Sequence, residues 1–139
     1  MDAQMQRLRA VPVLVVDEDS VIRDTLRSLL QGAGRLVAVT ASEADALEYL
    51  RGAFTPHVVL LDFFLPLTAR SALLHAAEHD DALRRHCYVL VTATTMSQMP
   101  EEEQGLIREI CYEVLPKPLD ALDLLAVVAR AANDLPTNP

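Results

Sequence analysis

Val13-Leu14-Val15-Val16 runs straight into Asp17-Glu18-Asp19-Ser20, an apolar run followed by an acidic break that can start a helix. A short, unbroken run of this kind reads as a strand buried on both faces, which is the habit of a parallel sheet. The same arrangement recurs further along. Val58-Val59-Leu60-Leu61 ends at Asp62, Val89-Leu90-Val91 ends at Thr92, and Val114-Leu115 leads through Pro116 to Lys117-Pro118. In open α/β sheets, ligands bind outside the carboxyl ends of the strands. If these runs are neighbours, one rim gathers Asp17, Glu18, Asp62, the Thr92 hydroxyl and the Lys117 ammonium. Such a set can bind a divalent metal and a phosphoryl group.

The stretches between the strands read as helices. Asp19 or Ser20 can cap the first, where Ile22, Leu26, Leu29 and Leu30 form a one-sided stripe and Gly32 and Gly34 mark the end. Leu36 to Val39 is a short second strand, and Ser42 opens a second helix closed by Gly52. A third helix lies around Leu73, Leu74 and Ala77. Pro100 and Glu101 to Glu103 open a fourth, where proline suits the first turn and acids favour the positive end of the dipole. Those three glutamates read as a solvated helix start. Leu119, Leu122, Leu125, Ala126 and Ala129 mark the fifth helix. Strand and helix thus alternate five times. The fold class is α/β, a doubly wound five-stranded parallel sheet with helices on both faces. The expected division is a flexible segment at 1–10, one domain at 11–132 and a tail or linker start at 133–139.

Bulk properties agree with this. At 139 residues and 51% hydrophobic content, a single domain with a substantial core is expected. The net charge of −8 opposes nucleic-acid binding by this domain alone, because it repels the phosphate backbone. No run of 18 apolar residues is present, so no membrane span is expected, and Met1 to Arg9 precedes no signal-peptide core. Cys87 and Cys111 lack metal-ligand spacing and read as buried free thiols, which suits a cytoplasmic protein. His57, His75, His79 and His86 form no ligand constellation and read as solvated or satisfied side chains.

The site residues carry a definite chemistry. Adjacent carboxylates at strand ends suit Mg²⁺, which takes oxygen ligands and keeps several waters. Crowded carboxylates repel one another until a cation relieves them. Helix capping by Asp17 and Asp19, with Glu18 in solvent, explains the same acids without a metal. Lys117 lies between two prolines at the end of an apolar strand, and a cis bond to Pro118 would fix where its ammonium points. It can pair with Asp62 or with a phosphoryl oxygen carried there.

Taken in order, VLVVDEDS (residues 13–20), VVLLDFFLP (58–66), VLVTA (89–93) and VLPKP (114–118) resemble the receiver domain of bacterial two-component response regulators. The resemblance runs from about residue 11 to residue 132. It implies the flavodoxin-like (βα)5 fold with strand order 2-1-3-4-5. It implies that Asp62 is the phosphoacceptor, taking the group from the phosphohistidine of a sensor histidine kinase, from a phosphotransfer protein or from a small phosphodonor. It assigns Mg²⁺ to Asp17, Glu18, Asp62 and the backbone carbonyl of Phe64, and charge compensation to Lys117. Thr92 becomes the switch hydroxyl. The chain is then a signalling receiver that catalyses its own phosphorylation and dephosphorylation rather than an enzyme. Family members also pair through the face formed by the fourth helix, fifth strand and fifth helix, so a homodimer there is an expectation.

Three departures from the family pattern stand out. Leu67-Thr68-Ala69-Arg70 replaces the usual Asp-Gly turn, Val114 stands where an aromatic usually precedes the lysine, and Ile110-Cys111 replaces Gly-Ala before the last strand. They leave room for a pseudo-receiver, a binding module that signals without phosphate. Phe64, two residues after the acceptor, puts an apolar ring where a polar side chain would align a hydrolytic water, which predicts a long-lived phosphorylated state. Phe63, Phe64, Leu65 and Leu67 stabilise this loop or offer a docking surface. A different reading takes Asp17-x-Asp19-x-Val21 as the nucleophile motif of haloacid-dehalogenase-like phosphatases. The later acidic motif needed there falls at Asp80-Asp81, in a polar helical stretch instead of at a strand end. No effector segment is evident within the 139 residues.

Overall fold

The computed structural model describes residues 11–62 and 70–135. The expectations placed on residues 1–10, on Phe64 and its loop, and on the tail past residue 135 fall outside these. Within them lie the strands β1 (Val13–Val16), β2 (Val37–Thr40), β3 (Val58–Asp62), β4 (Cys87–Thr92) and β5 (Cys111–Pro116). The helices are α1 (Ser20–Gly32), α2 (Glu43–Arg51), α3 (Ala72–Glu78), the short α4 (Asp81–Arg84), α5 (Glu101–Ile110) and α6 (Ala121–Asp134). The expected fourth and fifth helices are α5 and α6.

All strand pairs are parallel, in the order β2-β1-β3-β4-β5. The central strands are apolar up to their last residues, Asp62 in β3 and Thr92 in β4, because helices cover both faces. Val13, Leu14 and Val15, Val58 to Leu61, and Val89 and Leu90 are all buried. Alternate residues feed two cores. Leu14, Val16, Val59, Leu61 and Leu90 pack with Leu50, Leu73, Leu74, Leu106 and Ile107 on one face. Val13, Val15, Val58, Leu60 and Val89 pack with Leu30, Leu124, Val127 and Val128 on the other. Each such side chain contributes roughly 1.5–3 kcal/mol.

Local signals set the helix starts. Asp19 caps α1 by accepting from the Val21 and Ile22 N–H groups, and Ser42 caps α2 by accepting from Asp45. Asp120 caps α6 in the same way, through Leu122 and Asp123. Gly34 takes the left-handed conformation (φ 86°) just past α1, which its lack of a Cβ permits. Helix α6 runs to Asp134, and Leu135 packs in the core. Helix α6 thus continues past residue 132. Cys87 and Cys111 are free and half-buried, packed toward opposite faces of the sheet. Burial pushes their thiols up to about 11 and about 12.

One departure lies in β5. Tyr88 pairs with Cys111, but Val89 pairs with Glu113, so Tyr112 is an extra, bulged residue. Its hydroxyl donates to Asp134 at 2.6 Å, which ties this aromatic ring to α6. Val114, in the expected aromatic position, packs against the core.

At the amino ends of β3 and β4, His57 and His86 are buried and fully engaged. The His57 N–H donates to His86 Nδ1 at 2.9 Å, and His86 Nε2 lies 3.3 Å from the Leu50 carbonyl. His57 Nδ1 faces the Thr55 carbonyl at 2.8 Å, so it carries the proton, and Nε2 accepts from the Tyr49 hydroxyl at 3.0 Å. Each ring is used as a neutral donor and acceptor. Burial, then the neighbouring His57, lowers His86 to about 4. A lowered pKa means that the unfolded chain binds the proton first on acidification, so stability is lost as pH falls from about 6.5 toward 4. Urea unfolding of the wild type is expected to show a loss of roughly 2 kcal/mol between pH 7 and pH 5 attributable to this group. A His86→Gln variant should have a correspondingly flatter pH dependence.

Candidate functional site

The strand register assembles the site. Val16 pairs with Leu61, so the next residues, Asp17 and Asp62, emerge side by side at the carboxyl edge. Asp62 pairs with Val91 and Thr92 with Pro116, and the Lys117 N–H donates to the Thr92 carbonyl at 3.0 Å. Lys117 thereby enters the same rim, and its bond to Pro118 is cis. Lys117 Nζ stands 2.6 Å from Asp62 Oδ1, with the Asp62 side chain only 11% exposed.

Asp17 is almost fully buried. Its Oδ1 accepts from the Asp19 N–H at 2.9 Å, while Oδ2 is buried with no hydrogen-bond partner. Burial is the main cause that raises its pKa, and the Asp62 carboxylate adds to it. The Asp19 N–H and Lys117 act in the opposite direction. Two carboxylates are thus held together, one with an unused oxygen, a pairing that a divalent cation would relieve. The residues present fit such an ion. The third expected carboxylate, Glu18, is exposed. Among the described residues, no third His, Cys, Asp or Glu side chain joins Asp17 and Asp62, so the side chains described offer a cation two carboxylates. The Phe64 carbonyl lies outside the described residues.

Thr92 is buried at the end of β4. Its Oγ1 accepts from the Thr94 N–H at 3.0 Å, so in this state the hydroxyl serves its own loop. Asp17, Asp62 and Lys117 line one end of a pocket of about 180 Å³ whose remaining wall is apolar and includes Ile22, Leu26, Pro118 and Leu119. A second groove of about 260 Å³ between α1 and α6 shares Ile22, Leu26 and Leu119. Beside these openings Val21 and Leu122 are 72% and 77% exposed. The expected apolar stripe of α1 is therefore buried fully only at Leu30, while its first turns border the site.

Sequence reasoning missed Glu103. Read as part of a solvated acidic turn, it is 1% exposed. Its partners are Ser71 and His75, and the signal for them lies about thirty residues away in another helix.

A parallel 2-1-3-4-5 sheet with an acid pair and a lysine at its carboxyl rim defines a class of signalling domain. The chain belongs to the response regulator receiver domain family, which matches residues 13–129. It is 33% identical over 119 residues to the DNA-binding transcriptional regulator NtrC of Escherichia coli, covering 86% of this chain and 24% of that protein. The chain thus spans about a quarter of that relative's length. An uncharacterized 14.6 kDa protein of Leptolyngbya boryana is 29% identical over 126 residues, covering 91% of this chain and 93% of that one. Among solved structures, a CheY-like receiver domain protein of Methanospirillum hungatei superposes with TM-score 0.72 at 20% identity, covering 90% and 95% of the two chains. A sensor protein from Polaromonas superposes with TM-score 0.73 at 25% identity, covering 91% and 99%.

Asp17 offers a direct test of the site's electrostatics. Because its pKa is raised, it weakens the fold as pH rises above the ordinary 3.8. Asp17→Asn keeps an acceptor for Asp19 and removes the buried charge. Without divalent cations, the variant is expected to be more stable than wild type by about 1–3 kcal/mol in urea unfolding at pH 7. Added Mg²⁺ should stabilise the wild type and leave the variant nearly unchanged.

Proposed function

We propose that this receiver accepts a phosphoryl group on Asp62 and reports it through Thr92 and α5. The observation that carries the reading is the 2.6 Å ion pair between Lys117 and Asp62, set beside the buried, half-unpartnered Asp17 carboxylate. An Asp62 oxygen attacks the phosphorus of a donor phosphohistidine. The P–N bond breaks, its electron pair returns to the imidazole, and an acyl phosphate remains on Asp62. A bound Mg²⁺, held by Asp17 and Asp62 and completed by Glu18 and the Phe64 carbonyl, would offset charge on the transferring group. Lys117 compensates the remaining charge from the other side.

The Thr92 hydroxyl then exchanges the Thr94 N–H for a phosphoryl oxygen. Because residues 93–100 lead directly into α5, that exchange favours a second packing of this helix. The phosphodonor is a sensor histidine kinase or a phosphotransfer protein, and the exposed Val21 and Leu122 beside the pocket offer it an apolar footing. A second copy of the chain is assigned to the face made by α5, β5 and α6. Among the described residues, no helix is long and apolar enough to cross a membrane, and we place the domain in the cytoplasm.

The bulge that turns Tyr112 outward and the exposed Glu18 favour a second reading, a pseudo-receiver acting through protein contacts alone. Labelling with acetyl phosphate or phosphoramidate separates the two. The expected result is Mg²⁺-dependent addition of one phosphoryl group, abolished by Asp62→Asn and slowed at least tenfold by Lys117→Ala. Absence of labelling in the wild type would establish the pseudo-receiver. Phe64→Asn should accelerate loss of the phosphoryl group severalfold, measured by the decay of intact mass, and an unchanged decay would remove the role given to that ring.

A further inference from the structure

Glu103 is a carboxylate that the phosphoacceptor chemistry does not use, and its burial needs a cause. It sits in the first turn of α5 with 1% of its surface exposed. Its partners among the described residues come from the chain that follows the acceptor strand. Oε1 accepts from His75 Nε2, Oε2 accepts from the Ser71 N–H at 3.4 Å, and Arg70 Nε stands 3.9 Å away. His75 Nδ1 accepts from Arg70 Nη2 at 3.5 Å, so the imidazole bridges the arginine and the glutamate as a neutral ring. Arg70 also holds the exposed Glu102 at 2.8 Å.

The same segment is gripped from α2. Glu43 Oε1 accepts from Ser71 Oγ at 2.5 Å and from the Leu73 N–H at 3.0 Å. Ser71, the fully buried cap of α3, accepts from the Leu74 N–H. Arg70 is eight residues beyond Asp62 along the chain, whereas α5 follows Thr92 through residues 93–100. Glu103 therefore joins the exit of the acceptor segment to the helix that the Thr92 loop feeds.

A buried carboxylate tolerates no intermediate position, since sliding α5 away from residues 70–75 would strand the charge without donors. Such a contact is made or broken as a unit. We propose that Glu103 is a positioning residue that couples the start of α3 to α5, holding α5 in the arrangement seen while the Thr92 hydroxyl is bound to Thr94. It rests on Asp62 being the acceptor, because only then does occupancy at β3 bear on α5.

The test follows amide hydrogen exchange in the full chain, with and without Mg²⁺ and beryllofluoride, alongside fluorine NMR to register beryllofluoride at Asp62. In the wild type, beryllofluoride should alter exchange across residues 101–110. In Glu103→Gln, which keeps shape and loses charge, beryllofluoride should still bind, but its effect on α5 should shrink at least threefold. The Leu73 and Leu74 amides should exchange at least tenfold faster than wild type without any ligand. Glu102→Gln should resemble wild type in both respects. His75→Gln, which retains a donor, should preserve the coupling, and His75→Ala should not. An undiminished response of α5 in Glu103→Gln would overturn the coupling. A wild type that shows no bound fluoride signal would instead refute acceptance at Asp62. The joint would then be judged by exchange at Leu73 and Leu74 alone, and wild-type rates there in Glu103→Gln would overturn it.

Discussion

Lys117 stands 2.6 Å from Asp62 because β3, β4 and β5 lie in parallel register, and that contact makes an otherwise unfavourable rim tolerable. The pairing of Val16 with Leu61 forces two acids into adjacent positions at the mouth of an apolar core. A single ammonium cannot satisfy both. It neutralises Asp62 and leaves Asp17 with a buried, unpartnered oxygen and a raised pKa. The electrostatic tension of the site is thus a direct product of sheet topology. The same strands that stabilise the domain by burying valine and leucine hold the like charges together.

A second polar system lies under the helices on one side. Glu43 and Glu103 reach from α2 and α5 to the start of α3, and Ser71 is pinned between them. Apolar contacts alone permit small sliding motions of helices over a sheet. Buried carboxylates with specific N–H and O–H donors restrict that freedom, because each displaced bond exposes an unpaired group to an apolar surrounding. The start of α3 is therefore fixed between α2 and α5 by directional bonds as well as by apolar packing.

The central fold was legible because its signals are local. Four apolar runs ending in Asp17, Asp62, Thr92 and Lys117 announce buried parallel strands, and Asp19 and Ser42 announce the helices that follow β1 and β2. The meeting of Asp17, Asp62 and Lys117 follows from those runs once the strands are neighbours. Glu103 was illegible, since an acid in the first turn of a helix looks the same in sequence whether it faces water or a histidine in another helix. The bulge at Tyr112 was equally hidden, because the residues of β5 alternate no differently for carrying one extra member. Glu18 stands between these cases. Its sequence position marks it for the rim, where it lies exposed just after β1 while Asp19 takes up the cap.

The inserted Tyr112 has an effect beyond the site. β5 is an outer strand, and an outer strand with an uninterrupted row of free N–H and C=O groups recruits strands from other molecules. The extra residue breaks the spacing of that row, and the tyrosine is fastened to Asp134 instead of lying along it. The sheet thereby resists being lengthened by a foreign chain, and at this border the bulge adds to the effect of Glu113 and Pro116 in the same strand.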